Sequence, residues 1–147
     1  MAPPSYSVPA YPVQPGAKVP KSDFVTIHSM PVKSLITSPQ SGETLTAGTR
    51  SVRLRGHAWA GDRTVKQVDV THDFGKTWTP MTLHDLPNPY SWATWEGDVT
   101  LPTHGYYEVW ARATDDSGDQ QPFSVDWNPK GYLNNAMHRI AVFVPAA

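Results

Sequence analysis

Six histidines and thirteen Asp or Glu residues are this chain's stock of metal ligands and proton-transfer groups. Two His-Asp dipeptides, His72-Asp73 and His84-Asp85, flank the ends of an expected hairpin and pair the two residue types that hard and borderline metals use. No tight His and carboxylate cluster surrounds either, so chance spacing is the better reading. Ser117, His104 and Asp115 supply the types needed for a nucleophile, a base and its orienter. The sequence shows neither a nucleophile elbow nor an oxyanion hole, and a hydrolase is not inferred. The chain has no cysteine, which removes disulfides, thiolate metal sites and Cys nucleophiles.

The least generic stretch runs from Trp127-Asn128-Pro129-Lys130-Gly131-Tyr132 through Leu133-Asn134-Asn135-Ala136-Met137 to His138-Arg139. Asn128, Pro129 and Gly131 form turns, and Asn134-Asn135 can cap or take left-handed backbone. Trp127 and Tyr132 are large enough to anchor such a loop onto a core. An ordered loop is expected, with Lys130 exposed on it and His138 hydrogen-bonded to the loop backbone. Trp59, Trp92, Trp95 and Trp110 could form a face that stacks on sugars, which makes a carbohydrate-binding or protein-binding module the rival reading. Aromatics in a domain of this size more often serve core or protein interface.

These residues need a frame, and composition limits it. With 147 residues and 39% apolar content, the chain can bury one core and is too short for two full domains. Fifteen prolines and ten glycines argue for strands and turns over long helices. A formal net charge of −1 with scattered basic residues gives no footprint for nucleic acid or an anionic membrane. No apolar run reaches membrane-spanning length, and Met1-Ala2-Pro3-Pro4 has neither the charged start nor the apolar core of an export signal.

Residues 1–31 read as a Pro-rich extended N-terminal arm, because seven prolines spaced through it prevent a helix or a central strand. Tyr6, Tyr11, Val13, Phe24, Val25 and Ile27 are too apolar for an indifferent linker, so the arm is expected to pack on something. The folded domain then spans 32–147. Strands are expected at Val32–Thr37, Ser51–Ala60, Val65–Thr71, Trp78–Leu83, Trp92–Thr100, Tyr106–Ala113 and His138–Val144. Alternation puts Val52, Leu54, Gly56 and Ala58 on one face, Tyr107, Val109, Ala111 and Ala113 on another, and Trp110 and Phe143 outward. Asp73-Phe74-Gly75-Lys76 reads as a tight turn in which Gly75 takes positive φ. Seven or so short strands with no helical period predict an all-β immunoglobulin-like β-sandwich, and Gly105-Tyr106-Tyr107 fits a tyrosine corner.

Five segments in this order, Val32 to Pro39, Arg55-Gly56-His57-Ala58-Trp59, Asp73 to Trp78, Ala111-Arg112-Ala113-Thr114-Asp115 and Trp127 to Arg139, resemble the C-terminal domain of the sulfite oxidase family. Tyr11-Pro12-Val13, Pro15-Gly16 and Val19 are similar to the segment that precedes it there. Two positions depart from the pattern: Met137 stands where Trp is usual, and Tyr6-Ser7 where Tyr-Arg is common. The resemblance implies a non-catalytic homodimerisation domain of a molybdenum cofactor oxidoreductase, with the arm docking on a molybdenum-cofactor domain absent from these residues. It implies that the molybdenum-molybdopterin group, held through a cysteine thiolate, belongs to the parent enzyme and not to this chain. By the same resemblance Lys130 would approach the substrate anion, though an exposed lysine suits the isolated chain better. Trp110 and Phe143 are expected at the dimer contact. Sulfite, another sulfur compound or nitrate would all suit the parent, and a bacterial parent implies the periplasm.

Overall fold

The structure, a computed structural model, describes residues 5–84, 86–88 and 90–147. Eleven strands form it: β1 (Ser7–Pro9), β2 (Phe24–Thr26), β3 (Lys33–Ser38), β4 (Glu43–Thr44), β5 (Ser51–Trp59), β6 (Val65–Thr71), β7 (Thr79–Pro80), β8 (Thr82–Leu83), β9 (Ala93–Thr100), β10 (Gly105–Asp115) and β11 (His138–Val144). Among the described residues the only helical pieces are two single 3₁₀ turns, Lys21–Asp23 and Pro129–Gly131. A five-stranded sheet in the order β4-β11-β10-β6-β7 packs on a four-stranded sheet in the order β3-β5-β9-β8. This is the expected immunoglobulin-like sandwich.

Period-two alternation fills the space between the sheets. Val52, Leu54 and Ala58 from β5 meet Val68 and Val70 from β6, Val109, Ala111 and Ala113 from β10, and Ile140, Val142 and Val144 from β11. Trp95 is the largest fully buried side chain. It sits directly opposite Gly56 in the β5–β9 register, and its ring occupies the space that a Cβ at Gly56 would need. The missing side chain at Gly56 is what lets an indole lie flat inside the sandwich.

The Trp78–Leu83 segment is not one strand. Thr79–Pro80 pairs with β6 and Thr82–Leu83 pairs with β9, so the segment crosses from one sheet to the other. Pro80 has no N–H with which to continue a ladder. Buried Met81 makes the crossing, its own N–H bonded to the Val68 carbonyl at 2.8 Å. Gly97 gives its thioether room.

Two turns follow the expected chemistry. Phe74 and Gly75 both take left-handed backbone, at φ of 60° and 83°. Asp73 holds that turn by accepting from the Thr77 amide at 2.9 Å, the Thr77 hydroxyl at 2.7 Å and the Thr71 hydroxyl at 2.8 Å. Those bonds, led by the Thr77 hydroxyl, hold its carboxyl well below the usual range. At the start of β10 the Tyr107 hydroxyl donates to the Thr103 carbonyl at 2.8 Å and accepts from the Thr103 amide at 3.1 Å. That is the back-bonding of a tyrosine corner.

The arm doubles back on itself through the 3₁₀ turn at Lys21–Asp23, pairing β1 with β2 and bonding the Tyr11 hydroxyl to Asp23 at 2.8 Å. Among the described residues of the arm, Pro9 is the only proline in a paired strand and stands at its end, so a short hairpin survives where a central strand could not.

Replacing Gly56 with Ala should force Trp95 or the β3 backbone to move. Overpacking at so closed a site should cost about 2–3 kcal/mol. Urea denaturation would read this as a lower midpoint, and an unchanged midpoint would show that the indole is not confined.

Candidate interaction surface and loop

Residues 121–137 form the shaped loop, and a residue absent from the sequence reading organises it. The Gln121 side chain is 1% exposed. Its Oε1 accepts from the Ser34 hydroxyl on β3 at 2.6 Å and from the Ala113 amide on β10 at 2.9 Å. Its Nε2 donates to the carbonyls of Asn135 and Ala136 at 3.2 and 3.3 Å. One amide thus ties a strand of each sheet to the far end of the loop. The Met137 amide bonds the Pro122 carbonyl at 2.9 Å and closes the loop's neck. Asn135 Nδ2 donates to the Val32 carbonyl at 3.2 Å, and Lys33 Nζ to the Asn134 carbonyl at 2.7 Å. Nothing in residue type separates Gln121 from a surface glutamine. Only the closing geometry of the loop gives its four bonds a place.

The left-handed positions of the loop are Lys130, Gly131 and Leu133, at φ of 59°, 71° and 60°, and not the two asparagines. Asn128 and Pro129 lead into the turn that carries Lys130. Trp127 and Tyr132 do not anchor the loop onto the sandwich core. Tyr132 stacks on Tyr6 of the arm, ring centroids 6.0 Å apart at 22°. Trp127 and Pro129 line a cleft of about 380 Å³ whose other wall is the arm, from Pro9 through Gly16 and Val19 to Phe24. What the arm packs on is therefore this loop. Lys130 is exposed, with Val125, Asp126 and Asn128 around a shallow recess beside it.

His138 bonds a neighbouring strand, not the loop. Its Nδ1 accepts from the Ile36 amide of β3 at 3.0 Å and so bridges the two sheets at their seam. Burial, with the nearby Lys33 charge, pulls its pKa below the ordinary value.

The remaining chemical candidates are scattered. His104 lies before β10 and Asp115 at its far end, about 30 Å along an eleven-residue strand. Asp115 instead accepts from the Ser117 hydroxyl and amide and from the Asp119 amide, at 2.6, 2.9 and 3.0 Å, as a turn does. His72 packs on Tyr107. His84 lies 3.4 Å from Glu96, while Asp85 falls outside the described residues. Among the described residues no three His, Asp or Glu side chains converge.

The four tryptophans do not share a face. Trp95 is in the core, Trp59 is half-buried at the end of β5, and Trp92 lies exposed against His57, ring centroids 5.1 Å apart. Trp110 belongs to the opposite sheet. It does point outward, but Phe74 and Phe123 cover it, ring centroids at 5.7 and 5.1 Å, leaving it 8% exposed. The outer side of the five-stranded sheet is nevertheless the aromatic one. Tyr106 and Phe143 pair across β10 and β11 and are 63% and 45% exposed. Phe74 and Phe123 are more than half exposed. Arg112 lies 4.0 Å over the Trp78 ring and Arg139 5.3 Å over Phe123, both within cation–π range.

Comparison with known proteins places this fold. Residues 25–144 match the family described as the Mo-co oxidoreductase dimerisation domain, and the chain belongs to that family. Mitochondrial sulfite oxidase of Homo sapiens is 38% identical over 128 residues, covering 81% of this chain and 23% of that protein. Inducible nitrate reductase [NADH] 2 of Glycine max is 33% identical over 132 residues, covering 82% and 15%. The chain thus spans about a quarter or less of the length of these relatives. In structure it superposes on the sulfane dehydrogenase SoxCD from Paracoccus pantotrophus with a TM-score of 0.68 and 24% identity, over 97% of this chain and 37% of that one.

The His138 bridge fixes a pH dependence. A histidine whose folded pKa is depressed contributes fully above its unfolded value of about 6.5, and its contribution falls as pH drops from there toward the folded pKa. Wild type should therefore lose more stability between pH 7 and 5.5 than His138→Gln, whose amide oxygen can still accept. Equal losses in urea titrations at the two pH values would refute the bridge.

Proposed function

We propose that this chain is the homodimerisation module of a larger molybdenum-cofactor oxidoreductase of the sulfite oxidase kind, and that it performs no catalysis itself. One observation carries the choice of surface: the outer side of the five-stranded sheet presents the exposed rings of Tyr106, Phe143, Phe74 and Phe123, the last with the Arg139 guanidinium over it, unusual for a solvated sheet face. A second copy of the chain covers this face in an isologous contact about a twofold axis. Phe143 and Tyr106 form one part of the contact. Trp110 acts from beneath, as the platform on which Phe74 and Phe123 are held.

The chain's residues do not fit the molybdenum-pterin group. There is no thiolate to offer, and among the described residues no cluster of other ligands stands in for one. In this reading the group belongs to another part of the protein. That part docks against the composite of arm and loop, where Trp127 and Lys130 are exposed. The substrate is set there as well.

Light scattering and sedimentation over a wide concentration range test the dimer contact. Phe143→Asp, which alters no buried residue, should weaken self-association about tenfold or more, the scale of an interface anchor. Trp92→Ala on the opposite sheet should leave it unchanged. The reverse pattern would move the contact to the other sheet, and a wild-type chain that is monomeric at every concentration would refute the reading.

A further inference from the structure

On the outer side of β10 and β11 the side chains stand in rows: Tyr106 beside Phe143, Glu108 beside Ala141, Trp110 beside Arg139. The first row is two exposed rings. The third is higher still, because Phe74 packs edge-on and Phe123 tilted against Trp110, and Arg139 lies over Phe123. Between them Ala141 ends at its Cβ and the Glu108 carboxylate turns to Trp110, so the β11 side of the middle row is a trough between two aromatic rises.

Charge is also divided across this face. The Glu108 carboxylate accepts one hydrogen bond, from Trp110 Nε1 at 3.0 Å. The ion pairs among the described residues involve Arg53, Arg55, Arg63 and Arg112 as cations, His84 lies 3.4 Å from Glu96, and neither Glu108 nor Arg139 takes part in any of these contacts. The two occupy diagonal positions of the antiparallel pair, roughly 7–8 Å apart. An acid and a base thus share one exposed face as close neighbours, each without an ionic partner.

An isologous contact matches every meeting of i with j by a meeting of j with i. An axis through Arg139 would set two guanidinium groups against each other, and one through Glu108 two carboxylates, and each arrangement is repulsive. Resting on the reading of this face as the dimer contact, we propose that the twofold axis passes between the Ala141 row and the Trp110 row. The aromatic rise of each chain then fills the trough of the other. Arg139 of each copy reaches the carboxylate of the partner's Glu108, and the pair forms twice. Half-enclosed by the surrounding rings, such charge-assisted bonds are stronger than a surface ion pair and set the register of the two sheets.

Charge exchange tests this in the whole 147-residue chain. E108R and R139E should each weaken self-association about tenfold or more, because each sets two like-charged contacts. An equimolar mixture of the two should recover wild-type affinity as a heterodimer, visible by native mass spectrometry of chains carrying a mass tag. The E108R/R139E double variant should recover a homodimer. Thermal melts check that each single variant folds. If either does not, E108Q, which keeps side-chain size and the Trp110 acceptor, and R139Q, which removes the guanidinium charge, should show coupling in a double-mutant cycle. Singles that associate like wild type while Phe143→Asp does not would overturn this pairing and leave the dimer face standing. Weakened singles without rescue in the mixture, or no coupling in the cycle, would overturn the pairing too. A wild-type monomer at all concentrations would overturn both.

Discussion

The buried amide of Gln121 is the tie on which the loop end of this molecule depends. An amide has two acceptor sites and two donors, and burying it without partners would cost several hydrogen bonds' worth of desolvation. Here all four are engaged, with Ser34 on β3, Ala113 on β10 and the carbonyls of Asn135 and Ala136. A satisfied buried amide has one geometry, so the strands and the loop are fixed relative to one another. Leu133 and Lys130 can then be held in left-handed backbone that neither residue favours. The Tyr132 ring is presented to Tyr6, and the arm follows.

The same seam carries His138, whose ring accepts from β3 while its neighbour Arg139 points to the outer face of the five-stranded sheet. Adjacent residues on a strand face opposite sides. One therefore serves cohesion between the sheets and the other serves the surface. Phe74 shows a related division of labour. Its backbone is strained so that the Asp73 turn can close, and the ring lies edge-on to Trp110. An ordered aromatic loses little entropy when a partner covers it, which is the condition for an interface anchor.

Strand positions were legible in the sequence wherever alternation was clean. Ser51–Trp59, Val65–Thr71 and His138–Val144 fall where the pattern places them, and Tyr107 makes its corner. Legibility failed where one residue does two jobs. Trp78–Leu83 has a strand's composition, but Pro80 breaks its ladder and Met81 carries it between sheets. Trp127 and Tyr132 look like core anchors because size alone was visible, whereas their partners lie more than a hundred residues away in the arm. Parity places Trp110 on its true side, but its cover by Phe74 and Phe123 comes from two loops whose convergence no local pattern encodes. Gln121 gave no signal at all, since its role exists only once the loop has closed.

The two outer faces of the sandwich differ in a way that decides which of them calls for a partner. On the four-stranded sheet Arg53 bridges Glu96 at 2.9 Å and Asp98 at 2.7 Å, with Arg55 and His84 closing on Glu96 at 3.6 and 3.4 Å. That face satisfies its own charges and stays hydrated at little cost; covering it would strip water from a network already paired. Among the described residues of the five-stranded sheet's outer side, Arg139 has only a ring beneath it, Glu108 has one donor, and four aromatic side chains face water. Covering this second face removes apolar area from solvent, at roughly 25 cal/mol per Å², and supplies ionic partners that the single chain lacks. A sugar platform would need parallel rings on a polar groove, and the tryptophans are divided between core, sheet end and opposite sheets. The energetic asymmetry between the faces, more than the number of aromatic residues, is what favours a second copy over a small ligand.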